Sequence, residues 1–162
     1  MICHDFSGKV IWQRDLGKVD HEFGNGTSPM LVGDHVILYQ GPGDESYLVA
    51  LEKATGKTAW KIQRPTPTQG ASRKDNFRGN ANGAISSYTT PLVVSTEGRE
   101  ELVMGFPEII MGINPSNGAE IWRCSGIVSG GGFRDVFRRL RIGSKISWFS
   151  SLRNRIPLDV SS

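Results

Sequence analysis

The sequence predicts an all-β chain: a partial β-propeller of two four-stranded antiparallel blades plus half of a preceding blade, with an irregular or short helical C-terminal tail. Three observations predict it. Twenty glycines and eight prolines in 162 residues require many tight turns, hence short strands rather than long helices. A phrase with Gly four residues ahead of Trp occurs three times, ending at Trp12, Trp60 and Trp122, with spacings of 48 and 62 residues. Ahead of the second and third phrases stands a hairpin-like pair of apolar, partly β-branched runs.

The first phrase, Cys3-His4-Asp5-Phe6-Ser7-Gly8-Lys9-Val10-Ile11-Trp12, reads as a strand end, a tight turn and a returning strand, the half blade at 1–14. The blade at 24–63 opens with a strand at 29–32, turns at Gly33-Asp34 and returns through 35–39. A third strand at 47–51, a turn at Thr55-Gly56 and a strand ending near Trp60 complete it. The blade at 87–124 repeats the order: strand 90–94, turn 96–99, strand 101–104, strand 108–113, turn Asn117-Gly118, strand 120–122. Glycine supplies the positive φ that such turns need. Proline at the start of a strand removes no ladder bond that matters. Four antiparallel strands in about 45 residues make one propeller blade. A β-sandwich accommodates the same strand count, but its strands are not copies of one another. The polar insertion at 64–86 accounts for the longer second spacing.

After Cys124 the pattern calls for another Ser/Thr-Pro strand, which does not come. Phe133, Val136, Phe137 and Leu140 instead fall at i, i+3, i+4 and i+7 with arginines between them, a short basic amphipathic helix. Residues 133–162 hold seven Lys+Arg against two Asp, so the net charge of +3 belongs to this segment. The body is mildly acidic, which argues against nucleic acid as a partner. The repeats therefore span 1–127, and 128–162 is a basic tail foreign to them. Two origins stay open for the tail: the product of a frameshift or truncated gene, or a real segment for a membrane surface or an acidic partner.

Little in the chain carries chemistry. Cys3 and Cys124 form no Cys-x-x-Cys and read as free thiols. His4, His21 and His35 have no paired spacing. Asp44-Glu45 offers at most a weak Ca²⁺ pair, short of the oxygen ligands that ion takes. Gly24-Asn25-Gly26 lacks the Lys-Ser/Thr of a phosphate loop and reads as a turn. Asn25-Gly26-Thr27 matches a glycosylation sequon by chance. No run approaches the ~18 apolar residues of a membrane-spanning helix, and the first residues lack a signal-peptide layout. The insertion at 64–86 is the best candidate for a contact surface, because long loops on a rigid scaffold are where binding tends to sit.

In these phrases the sequence resembles the pyrroloquinoline-quinone-like repeat propellers, whose blade motif runs Ala-x-Asp-x-x-Thr-Gly-x-x-x-Trp. Ala50 to Trp60 matches it, with Glu52 in place of Asp. In the third copy Gly112, Asn114 and Asn117 replace Ala, Asp and Thr, and in the first the turn is one residue shorter. The resemblance covers about 1–127 and implies a structural role for Gly8, Trp12, Gly56, Trp60, Gly118 and Trp122, each Trp docking on the next blade. The alternative use of these indoles is a platform for a planar cofactor. Some members are calcium- and quinone-dependent dehydrogenases with a vicinal Cys pair, which this chain lacks.

The expectation is accordingly no catalytic, cofactor-binding or metal-binding residue and no cofactor. The chain reads as a non-catalytic protein-binding or scaffolding module, a truncated piece of a larger bacterial propeller. Outer-membrane assembly lipoproteins of this repeat class are the functional model, by analogy. The alternative is a fragment of a quinone-dependent dehydrogenase whose site residues lie outside the chain. The implied partners are a protein bound through propeller-face loops and other uncapped blades. The chain itself names no compartment, and the resemblance implies a parent that is periplasmic or exported.

Overall fold

Glycines in the left-handed region set the hairpins. Gly33 (φ 56°), Gly56 (φ 70°), Gly98 (φ 78°) and Gly118 (φ 75°) each sit where one strand turns into the next. In the computed structural model the described residues are 1–19, 24–42, 45–65, 87–96, 98–106, 109–125, 141–142, 146–147 and 160–161. They form strands and no helix. The amphipathic segment 133–140, most of the insertion 64–86, His21 and Asp44 lie outside the described residues.

Strands β1 (Ile2–His4) and β2 (Val10–Gln13) pair antiparallel as a two-stranded sheet. Strands β3 (Met30–Val32), β4 (His35–Gln40), β5 (Tyr47–Glu52) and β6 (Thr58–Gln63) form a four-stranded antiparallel meander. Strands β7 (Leu92–Thr96), β8 (Arg99–Phe106), β9 (Ile109–Ile113) and β10 (Glu120–Ser125) form a second meander in the same order. The remaining strands are two residues long: β11 (Arg141–Ile142) pairs with β12 (Ile146–Ser147), and β13 (Val160–Ser161) adds outside β10. The sequence reading ends the third unit at the strand carrying Trp122. The structure places one more short strand beyond it, with Cys124 opposite Val160.

The strands alternate, and the alternation builds a stack. One face of the β3–β6 sheet carries Ile37, Tyr39, Leu48, Ala50 and Trp60. These pack on Leu102, Met104, Phe106, Ile109, Met111 and Ile113 of the β7–β10 sheet. The Tyr39 and Phe106 rings meet edge to face, with centroids 5.7 Å apart. The opposite face of the β3–β6 sheet, with Leu38, Val49 and Leu51, packs on Trp12 and Cys3 of the β1–β2 sheet. Ser28 N–H donates to Thr90 Oγ1 at 3.1 Å, so the starts of β3 and β7 also meet. Sheets stacked face to face, two of them repeating one meander, are the blades of a partial propeller. Among the described residues no helix is long and apolar enough to cross a membrane.

Tyr39 gives this core a pH signature. It is fully buried and donates to Ser46 Oγ at 3.0 Å. Burial pushes its phenol from the ordinary 10.0 up to about 12. The folded state therefore keeps a proton that the unfolded state releases. This contribution to stability is complete below pH 10 and is lost as pH rises through about 12. Ultraviolet titration should show Tyr39 ionising after an ordinary tyrosine. Three phenols titrating together near the ordinary value would contradict this burial.

Candidate functional site

The residues singled out by the repeat come together at two joints between sheets. Trp12 is 9% exposed and Trp60 8%. A Cβ placed on Gly56 would lie 2.7 Å from Trp12 Cδ2, and one on Gly118 would lie 2.8 Å from Trp60 Cε3. Each indole therefore lies flush on the backbone of a glycine turn in the next sheet. Trp12 Nε1 donates to Lys53 O at 2.9 Å, and Trp60 Nε1 donates to Pro115 O at 3.0 Å. Both acceptors stand three residues ahead of the glycine. The two joints are thus the same device built twice. The first has an added clamp, in which Arg14 Nη1 donates to Gly56 O at 2.8 Å.

The turns are built from the polar residues between strand and glycine. Gly56 N–H donates to Glu52 O at 2.8 Å and Gly118 N–H to Asn114 O at 2.9 Å. In the first copy Gly8 N–H donates to Asp5 O at 3.0 Å across a turn one residue shorter. Asp5 Oδ1 accepts from the backbone N–H groups of Ser7 and Lys9, at 2.9 and 3.0 Å. These bonds, with the Ser7 hydroxyl first among them, hold the exposed Asp5 carboxyl below its usual range. Asn114 Oδ1 accepts from Ser116 N–H in the same way at 2.9 Å. Glu52, one methylene longer, takes the Thr55 hydroxyl at 2.6 Å instead. The acidic or amide position of the motif therefore organises the turn.

One feature of the joints escapes the sequence reading. In all three copies the pairing shifts register just before Trp: at Cys3/His4, at Ala50/Leu51 and between Glu120 and Trp122. Ile11, Ala59 and Ile121 are the extra residues, and all three are exposed. A bulge increases local twist and re-aims the next side chain.

The third Trp behaves differently. Trp122 stands opposite Gly112, where Trp60 stands opposite Ala50. Its indole lies over that glycine, so close that a Cβ on Gly112 would fall 2.1 Å from Nε1. Trp122 Nε1 donates to Glu101 Oε2 at 2.8 Å, and the ring packs on Val94, Val103 and Ile110 of its own sheet. Glu101 is itself buried. Among the described residues Trp122 reaches no neighbouring sheet. Gly8 is its counterpart at the other end: φ is 86°, and among the described residues nothing lies within 4 Å of a Cβ placed there.

The other sequence candidates are scattered. His4 Nδ1 lies 3.0 Å from Gly8 O within its own turn. His35 is half-buried in β4 and Glu45 is exposed. Cys3 faces Trp12 and Cys124 is buried in β10; neither forms a disulfide, and burial raises the pKa of Cys124. Among the described residues no three His, Cys, Asp or Glu side chains gather as a metal site would require. The ring faces of Trp12 and Trp60 lie on glycine backbone, so neither is an open platform for a planar cofactor. An open groove of about 380 Å³ runs beside Asp15, Leu16, Gly17, Asn25, Thr27 and Gln40. Its polar wall is internally bonded: Gln40 Nε2 donates to Gly17 O and Asn25 Nδ2 to Gln40 Oε1, both at 3.0 Å. Asn25 Oδ1 accepts from Thr27 N–H at 3.0 Å, so 24–27 is a side-chain-capped turn.

Comparison with known proteins identifies the family. The family model described as outer membrane protein assembly factor BamB matches residues 1–155. The match runs past residue 127, where the visible repeats end. Among solved structures, the crystal structure of BamB from Moraxella catarrhalis matches at 18% identity and a TM-score of 0.46. That match covers 72% of this chain and 28% of the other, so this chain spans less than a third of that protein's length. No curated protein matches in sequence. With three copies of the blade phrase and a family match over residues 1–155, this chain belongs to the BamB outer membrane protein assembly factor family of quinoprotein-like β-propeller repeats.

Proposed function

We propose that the chain is a non-catalytic scaffold that binds a protein of outer-membrane protein assembly, as a segment of a larger propeller. The observation that carries this reading is the family match over residues 1–155. The local chemistry supports it. The indole N–H groups of Trp12 and Trp60 and the carboxyl of Asp5 are spent on joints and turns. In this reading the blades are a rigid frame, and the loops between strands, with the insertion at 64–86 among them, present the contact surface. Gly8, Trp12, Gly56, Trp60, Gly118 and Trp122 serve the frame and not the contact.

The test is saturable binding of the 162-residue chain to purified outer-membrane assembly proteins by surface plasmon resonance. Micromolar or tighter binding to one such protein, retained when the loop at 64–86 is intact and weakened when it is replaced by a Gly/Ser linker, is the expected result. No binding to any of them would overturn the reading. So would saturable quinone binding with dye reduction in the presence of an alcohol, the signature of a dehydrogenase fragment.

A further inference from the structure

We propose that the Tyr39 hydroxyl, buried between the second and third sheets, is a positioning residue for partner binding, because it ties together the two ends of the segment 64–86. The inference deepens the scaffold reading above and rests on it for its consequence, while the tie itself is tested separately. Both ends are described residues, Arg64 after β6 and Ser87 before β7. The phenol donates to Ser46 Oγ at 3.0 Å and accepts from the backbone N–H of Ser87. Arg64 N–H donates to Ser46 O at 3.1 Å, and its guanidinium charge lies near enough to act on the phenol. Ser46 thus joins the phenol to the first end, and Ser87 is the second.

The repeat separates this cluster from the frame. Ala50 stands opposite Trp60 as Gly112 stands opposite Trp122, which aligns the second sheet on the third. On that alignment Tyr39, opposite Leu48, corresponds to Gly105, opposite Ile110. Ser46 corresponds to Glu108, and Arg64 to Gly126. The third unit therefore builds the same meander without a phenol, a hydroxyl or a guanidinium at those positions. What the second unit has in addition is the polar insertion that begins at Arg64. The cluster and the insertion occur in the same unit, and the cluster meets the insertion at both of its ends.

Stability alone gives no reason for these groups. Tyr39 is 0% exposed, Ser46 is 3% exposed, and the Nη1 end of Arg64 is buried. Polar groups cost free energy to bury, and an apolar pair of the same shape serves a core as well. What the hydrogen bonds add is direction: they fix where the chain leaves β6 and where it enters β7. The phenol is held rigidly for this, since its ring sits edge-on to Phe106 and a Cβ on Gly41 would fall 2.7 Å from its Cε1. Ser87 carries the direction onward, its Oγ accepting from Thr89 N–H at 2.9 Å. Without the tie the two ends sample more positions, and partner binding then has to order them.

The double variant Tyr39→Phe/Ser46→Ala tests this, since it removes both hydroxyls and keeps the ring. Its urea midpoint should stay near that of the wild type, because both partners of the bond are replaced by apolar groups. Amide hydrogen exchange should rise about tenfold at Arg64 and Ser87 and stay unchanged at Trp60, Met104 and Ile113, whose amides belong to the frame. Binding to the outer-membrane assembly protein that the wild type recognises should weaken about tenfold. In a chain whose residues 64–86 are replaced by a Gly/Ser linker, the double variant should cause no further loss of binding. Exchange at Arg64 and Ser87 that stays at the wild-type level overturns the tie, as does an equal rise at Trp60, Met104 and Ile113. Binding that is unchanged when exchange rises, or that weakens as much in the linker chain, overturns the positioning role. If the double variant fails to fold, Ser46→Ala alone should raise exchange at Arg64 by a smaller factor, and no rise there overturns the tie. A wild type that binds no assembly protein overturns the scaffold reading and leaves the exchange result to decide the tie.

Discussion

Replacing Trp60 by Ala is expected to lower the unfolding free energy by about 3–5 kcal/mol, read as a shift in the urea midpoint with an unchanged slope. The indole is 8% exposed and lies between the second and third sheets, in the cluster that holds Tyr39, Met104 and Ile113. A buried Trp removes about 200 Å² from water, an upper limit of roughly 5 kcal/mol. Its hydrogen bond to Pro115 O contributes only about 1 kcal/mol. Burial therefore dominates, and Trp60→Phe, which keeps most of the ring area and loses the N–H, should cost about 1–2 kcal/mol. A loss below about 1 kcal/mol for Trp60→Ala would mean that the two sheets do not depend on this contact.

The second large effect belongs to the glycine beneath that ring. Gly118→Ala meets two penalties: a left-handed φ of 75°, and a Cβ placed 2.8 Å from Trp60 Cε3. The first costs about 1–2 kcal/mol. The second, an overpacked contact between rigid groups, costs about 1–3 kcal/mol more. The expected total is about 2–5 kcal/mol, again by urea unfolding. Gly56→Ala should behave alike, since its Cβ would lie 2.7 Å from Trp12.

Much of this frame was legible in the sequence, for a physical reason. Strand, turn and Trp are local features, and Gly56 and Gly118 mark their own turns because few other residues adopt that backbone. Repetition then identified the blade, since an accidental hairpin is not copied in register. What the sequence hid is what depends on a neighbour. Trp122 carries the same local phrase as Trp60, and only the glycine opposite it, Gly112, signals that its ring turns back onto its own sheet. The bulges at Ile11, Ala59 and Ile121 were hidden because alternation alone cannot distinguish a shifted register from a longer turn. Pairing of Val160 with Cys124 joins residues 36 apart across a stretch with no strand pattern, so no local rule could find it.

The central claim is that a Trp of one sheet seats on the glycine turn of the next, at two joints and not at the first turn. Three alanine variants, at Gly8, Gly56 and Gly118, test it most directly. All three glycines have nearly the same positive φ, at 86°, 70° and 75°, so the backbone penalty is common to the set. Only Gly56 and Gly118 lie under an indole; nothing described lies within 4 Å of a Cβ on Gly8. Urea unfolding, measured at a protein concentration where the chain is monomeric, should show Gly56→Ala and Gly118→Ala each losing about 1–3 kcal/mol more than Gly8→Ala. Equal losses at all three positions would contradict the claim, because the difference between them is the seated tryptophan.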